Sequence, residues 1–274
     1  MTTVELCNLA LSLIGGKPIG ALNDATRQAE VCNKWFAAAR DEALAAHPWN
    51  FARDRARLTK AWVVLSGTAI TNSGGLIKVT KTGHGLTTGL RVLLDGVGGL
   101  SGANASWIIT RVDADNFTLD DSVFSGSYTS DTGRYVQQPL FGWNYQYTLP
   151  SNCLRVLRVN GDDSNENDTE PYNVEGKKLL TDAEGVNLQY IFQETATANW
   201  PADFCNAFAV LLASYLATDL VGTGTGRASA LRAQFTNAIL PSIQTDDARE
   251  GRSKTREPGA DSRVIAARKG WRYS

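Results

Sequence analysis

Residues 200–222 read WPADFCNAFAVLLASYLATDLVG, and the rest of the chain is best understood outward from them. Pro201 suits the first turn of a helix, where its missing N–H would have no partner anyway. Asp203 complements the positive end of the helix dipole, and Gly222 can adopt the left-handed conformation that closes a helix. Phe204, Phe208, Leu211 and Tyr215 make one apolar stripe; Cys205, Ala209, Leu212, Leu216 and Leu220 make a second beside it. A surface helix needs one stripe, so two predict a helix enclosed on most sides. Asn206, Ser214, Thr218 and Asp219 interrupt the apolar run and argue against a membrane span. The segment is therefore expected to be the central core helix.

Two helices are expected before it. Thr2 with Glu5 fits a capping box at the start of TTVELCNLALSLIGG, and Gly15, Gly16 and Pro18 stop that helix near residue 14. A second helix follows Asn23 and Asp24, either of which can cap it, with Ala29, Cys32, Phe36, Ala39 and Ala43 along one side. It should end by residue 46, because the residue before Pro48 is pushed out of the α region. A fourth helix is expected over 227–249, kinked or split at Pro241.

Between residues 66 and 136 the composition changes. Proline, cysteine and methionine vanish, and LIKVTK, LRVLLDG, SWIITRV and NFTLDD stand as short β-type runs between turn residues. This predicts an inserted all-β module. NFARDRARL (50–58), YVQQPLFGWNYQYTLP (135–150), 152–159 and 188–192 read as strands of the main domain, and YNVEGKKLLT as a hairpin turning at Glu175-Gly176. The expected fold is α+β: a bundle of about four helices with a small β-sheet over 1–65 and 138–250, the β module over 66–137, and an extended C-terminal arm over 251–274.

Charge supports the arm. The chain is −1 overall; residues 249–274 hold eight basic and three acidic residues, a net +5, which leaves −6 for the body. Only Val264, Ile265, Trp271 and Tyr273 are substantial apolar groups there. Ordering such a segment on its own surface costs about 1.5 kcal/mol per residue, so the arm is expected to order on a partner. Its candidate contacts are Arg252, Arg256, Arg263, Arg268, Lys269, Trp271, Arg272 and Tyr273.

Catalytic, cofactor and metal signals are missing. Cys7, Cys32, Cys153 and Cys205 lack zinc or disulfide spacing and read as buried apolar residues in a reducing compartment. His47 precedes a proline at a helix end, and His84 lies in the turn TGHGLTTG. Gly222, Gly224 and Gly226 follow a helix, whereas a dinucleotide loop follows a strand. The acidic run 162–168 lacks the glycine and glutamate that an EF-hand places at its sixth and twelfth positions. Asp113, Asp115, Asp120 and Asp121 sit where turns belong.

Four separated segments, WNFARDRARL (49–58), FGWNYQYTLPSNCLRVLRV (141–159), LQYIFQET (188–195) and the helix WPADFCNAFAVLLASYLATDL (200–220), together resemble the tail tubular protein A family, the head-to-tail adaptor of short-tailed bacteriophages. The insert, with GHGLTTGLRV, DGVGG and ASWIITRVDADNFTL, resembles the small FCCH-like β module of phage structural proteins. The resemblance implies a structural virion protein of the phage neck, made in the host bacterial cytoplasm. It would form a ring of twelve copies between the portal protein and the tail nozzle protein. Packaged DNA would cross the lumen without specific binding, and an acidic body, which repels phosphates, fits that role. The arm would dock on the portal or a neighbouring subunit. The alternative reading is a virion-associated glycan hydrolase, with its acid pair among Asp113, Asp115, Asp120 and Asp121, or a glycan-binding tail module.

Overall fold

A computed structural model describes residues 1–161, 169–222 and 226–250. The expected arm contacts from Arg252 to Tyr273, the acidic run 162–168 and most of the glycine linker lie outside the described residues. The chain divides into two units. The first comprises 1–55, 152–169 and 189–274; the second comprises 56–151 and 170–188.

The first unit is built on α3 (Ala202–Leu220), with α1 (Thr3–Leu13), α2 (Arg27–Ala45) and α4 (Arg227–Gln234) packed around it. Twelve residues of α3 are buried, and both predicted stripes are among them except Tyr215 and Leu220, which are half-buried. Enclosure follows from composition: alanines at 207, 209, 213 and 217 let neighbouring helices approach closely, and Phe204, Phe208, Leu211 and Leu212 fill the space between them. Phe204 meets Trp49 and Phe51 edge-on at 5.2 and 4.8 Å, and Phe208 meets Phe36 and Trp200 at 5.0 Å each.

The ends of the helices are chemically explicit. Thr2 Oγ1 accepts from Glu5 N–H while the Glu5 carboxylate accepts from Thr2 N–H, closing the capping box. The cap of α2 is neither Asn23 nor Asp24 but Thr26, whose hydroxyl accepts from Ala29 N–H; Asp24 instead holds the N–H groups of Gly20 and Ala21. Pro201 is the residue just before α3, its carbonyl accepting from Cys205 N–H. Gly222, at φ +93°, sends its N–H back to Ala217 O and ends the helix.

The helical run 227–250 is divided just before Pro241, as expected from that proline. Residues 235–239 widen into a π turn, with Leu240 N–H reaching Phe235 O, and α5 (Leu240–Glu250) starts one residue before the proline. Proline has no N–H and its ring crowds the carbonyl four residues back. A single π turn absorbs that crowding and places Pro241 in a first turn, where no N–H is required.

The molecule is more sheet-rich than a helical bundle, and in this the structure corrects the expectation. Among the described residues thirteen strands form three sheets. One orders β1 (Arg53–Leu58), β13 (Val186–Phe192) and β10 (Cys153–Val159). Strands β1 and β13 each begin in one unit and end in the other. In the second unit β9 (Tyr145–Thr148), β12 (Lys178–Thr181) and β11 (Tyr172–Glu175) form an antiparallel sheet of their own. Glu175 pairs with Lys178, so the hairpin turns at Gly176-Lys177, one residue later than the sequence suggested, with Gly176 at φ +59°.

Seven strands make the large sheet: β2 (Val63–Val64), β8 (Arg134–Gln138), β5 (Arg91–Asp95), β6 (Ser106–Arg111), β7 (Asn116–Leu119), β4 (Leu76–Thr80) and β3 (Ile70–Ser73), in that order. Alternation does the folding here. Ile77 and Val79 of β4, and Val92 and Leu94 of β5, point into one core with Ile109, Phe117 and Leu119, while their sequence neighbours face out. Gly99, at φ +76°, lies so close to Ser127 O that any side chain there would overlap it. Among the described residues no helix is long and apolar enough to cross a membrane.

Candidate interaction surface

The last described helix of the helical unit, α5, precedes the basic stretch in sequence and is held to the rest of the unit by polar contacts. Asp247 is the anchor. Its carboxylate accepts from Asn50 N–H at 3.0 Å and faces His47 Nε2 at 3.0 Å, and its backbone carbonyl accepts from Asn50 Nδ2 at 2.5 Å. The side chains of Asp247 and His47 are only 9% and 17% exposed, so these bonds are partly shielded from water. His47 thus has a structural bond across the unit, beyond the helix-end role its sequence context suggests.

A second polar chain fixes α4. Glu42 accepts from Tyr215 Oη at 2.5 Å and pairs with Arg232, whose guanidinium lies 5.4 Å from the Tyr215 ring centre. Tyr215 stacks on Trp35 at 5.0 Å. Asp219 accepts from Lys34 Nζ at 2.9 Å and Trp35 Nε1 at 2.8 Å, and these two hydrogen bonds hold its carboxyl below the usual carboxylate range. The two thiols Cys7 and Cys32 meet in the core between α1 and α2. Their shared hydrogen bond, with burial, pushes the Cys7 thiol up, while the same bond lowers that of Cys32.

Between the start of α3 and the π turn with α5 runs an open groove of ≈ 410 Å³, lined by Asp203, Asn206, Ala238, Ile239, Ser242, Ile243 and Asp246. A narrow cleft shares Asp203, Ile243 and Asp246 with it and leads down to Trp49, Phe51, Phe204 and Asp247. The floor is apolar and the rims are acidic.

In the second unit the surface is organised by cations on rings. Lys60 Nζ lies 3.9 Å from the Tyr145 ring centre and 5.6 Å from that of Trp62, and the Arg134 guanidinium lies 4.2 Å from Trp62. Arg134 also pairs with Asp95 at 2.6 Å. A cavity of ≈ 250 Å³ opens beside His84, Tyr135, Gln146 and Lys178. Leu140 and Phe141 stand out between β8 and β9, 54% and 81% exposed.

Of the acidic residues of the alternative reading, Asp113 and Asp115 accept backbone N–H groups in the turns around them, and Asp120 and Asp121 lie in the turn after β7. Asp113 accepts from Asp115 N–H and Asn116 Nδ2, and these bonds, the backbone one foremost, lower its carboxyl. Asp115 accepts from Gly83 N–H, and Asp121 adopts φ +57°. His84 accepts from Leu86 N–H through Nδ1, which leaves Nε2 to donate to Asp113 O. Among the described residues there is no group of three or more His, Cys, Asp or Glu side chains arranged to hold a metal ion.

No family model and no curated protein matches this chain. Among solved structures it is similar to the phage phi92 endosialidase, at 19% identity with a TM-score of 0.21. That likeness covers 39% of this chain and 17% of the endosialidase, and so loose an overlap assigns neither fold nor activity.

Proposed function

We propose that this chain is a ring-forming head-to-tail adaptor of the tail tubular protein A type, joining a portal to a tail nozzle and lining part of the channel through which DNA leaves. The observation that carries the reading is the packing of parts of three resemblance segments (around Trp49, Tyr190 and Phe204) into the helical unit. Trp49 and Phe51 pack on Phe204 of α3. Tyr190 donates to Asp54, Gln193 to Asp41, and Ile191 joins the core around α3. Residues 49–55, 189–193 and α3 thus pack together in the helical unit although more than a hundred residues separate them in sequence, which supports the reading.

Two further features support it. The last described helix of the unit is pinned by Asp247, and the residues that follow it in sequence carry the basic and aromatic side chains Arg252 to Tyr273. The body of the chain is acidic, which favours sliding of DNA over binding. Deletion of residues 251–274 tests the reading: portal binding is lost while circular dichroism and melting of the remaining chain stay unchanged. Undiminished portal binding by the truncated chain would remove the arm from the account.

A further inference from the structure

The cavity of ≈ 250 Å³ in the second unit is bordered by polar groups that the fold leaves unused. Tyr135 and Gln137 alternate on one face of β8, and Gln146 and Thr148 on one face of β9. Lys178 of β12 pairs across from Thr148, and all five residues line the cavity. Tyr135 is only 2% exposed, and its hydroxyl has no hydrogen-bond partner among the described residues. Among those residues Thr71 Oγ1 is the one unbonded side-chain polar atom sealed from solvent, so the Tyr135 hydroxyl keeps a solvent contact, and the space Tyr135 lines is this cavity. Burial alone pushes this hydroxyl up from the usual tyrosine range, so it stays a proton donor at neutral pH. A buried hydroxyl left unbonded is costly, which points to a partner from outside the chain.

The surrounding groups share this character. Among the described residues the side chains of Gln137 and Thr148 have no hydrogen bond, and Gln146 uses only its Oε1, which accepts from Lys178 Nζ at 3.2 Å. Hydrogen bonds to Leu86 and Asp113 occupy both ring nitrogens of His84, so it offers the cavity no free nitrogen. Ala61, Val63, Leu86 and Val136 supply an apolar wall. The lining thus joins hydroxyl and amide groups to one lysine ammonium, and it holds no carboxylate.

We infer that this cavity binds a small polyhydroxylated carboxylate, the chemistry of a single sugar acid. Its hydroxyls match Tyr135, Gln137 and Gln146, its carboxylate meets the Lys178 ammonium, and the C–H face of its ring lies on the apolar wall. The volume of ≈ 250 Å³ falls below the about 300–1,000 Å³ of drug-sized pockets, which suits one ring rather than a chain. Two sources share this chemistry: a free sugar acid, and one residue of an acidic polysaccharide reaching in from outside. Such binding requires neither a ring nor a portal, so it stands or falls apart from the adaptor reading.

The test is an NMR titration of the isotope-labelled full chain with glucuronate, glucose, acetate and a hexuronate oligomer. Glucuronate should shift the amides of 135–137 and 146–148 saturably, with a dissociation constant on the order of 1 mM. Glucose and acetate should bind at least about tenfold more weakly. Tyr135→Phe should weaken glucuronate binding about three- to tenfold without lowering the melting temperature, because the hydroxyl has no partner in the fold to lose. Lys178→Gln should bring the affinity for glucuronate down to that for glucose. An oligomer that binds more tightly than glucuronate assigns the site to a polysaccharide, and one that does not assigns it to a free sugar acid. No saturable shift with either uronate, shifts away from these strands, or glucuronate binding no tighter than glucose overturns the inference. A Tyr135→Phe chain that binds equally well also overturns it, as does one that melts lower, since the hydroxyl would then be bonded within the fold.

Discussion

Replacing Asp247 by alanine should free the last helix while leaving the core intact. The carboxylate is 9% exposed and holds Asn50 N–H and His47 Nε2, each at 3.0 Å. Its removal strands a partly buried backbone donor, at a cost of about 1–3 kcal/mol, and takes a hydrogen-bond partner worth about 1 kcal/mol from His47. Asn50 Nδ2 keeps its bond to the Asp247 backbone carbonyl as long as α5 stays in place. The loss is therefore about 2–4 kcal/mol, and it falls on local opening of α5 rather than on global unfolding. At about 1.4 kcal/mol per factor of ten, hydrogen exchange of the amides from 243 to 250 should quicken roughly 30- to 1,000-fold. Amides of α3 from Phe208 to Leu216 should not change. Unchanged exchange in α5 refutes the anchor, and an equal quickening in α3 refutes its locality.

Leu212→Ala acts on the opposite level: Leu212 is fully buried in the core around α3, so the change should cost about 2–5 kcal/mol of stability in the helical unit, seen as a shifted denaturation midpoint. Assembly would then suffer through stability alone and recover at lower temperature. Alkaline pH provides another probe. Burial pushes the hydroxyls of Tyr147 and Tyr190 up to about 12, with help from the neighbouring Tyr145 and Glu184 for Tyr147 and from the bond to Asp54 for Tyr190. Raised folded-state values mean that the neutral forms stabilise the fold. The contribution is complete below about pH 10, the unfolded tyrosine value, and is lost as pH rises toward 12. Tyr147→Phe should flatten part of that loss in a pH titration of stability; an unaltered profile between pH 10 and 12 excludes Tyr147 as a source.

The core helix was legible because its signal is local. Two stripes, a proline before the first turn and a glycine at φ +93° are all written within residues 200–222, and the same holds for the capping box at Thr2 and the alternation of β4 and β5. The anchors were not legible, because Asp247 meets His47 across 200 residues and Asp219 meets Trp35 across 184, and no spacing rule spans such distances. The cap at Thr26 was displaced from Asn23 and Asp24 because Asp24 has a better use, holding two backbone N–H groups of the preceding turn. Pro241 was legible as an interruption of the last helix, but that the interruption takes the form of a π turn before it was not, because pattern rules treat a helix as purely α. The bundle was overestimated because short strands such as 145–148 and 178–181 pair with each other and not with the main sheet, and register between distant strands leaves little local trace.

The central claim is that this chain forms a ring that stacks on a portal. Negative-stain imaging of the pure protein, alone and mixed with portal rings, tests it most directly. The account predicts an added disc of density on one end of the portal, with the portal's symmetry, that is lost with residues 251–274. Portal particles of unchanged length at saturating protein contradict it.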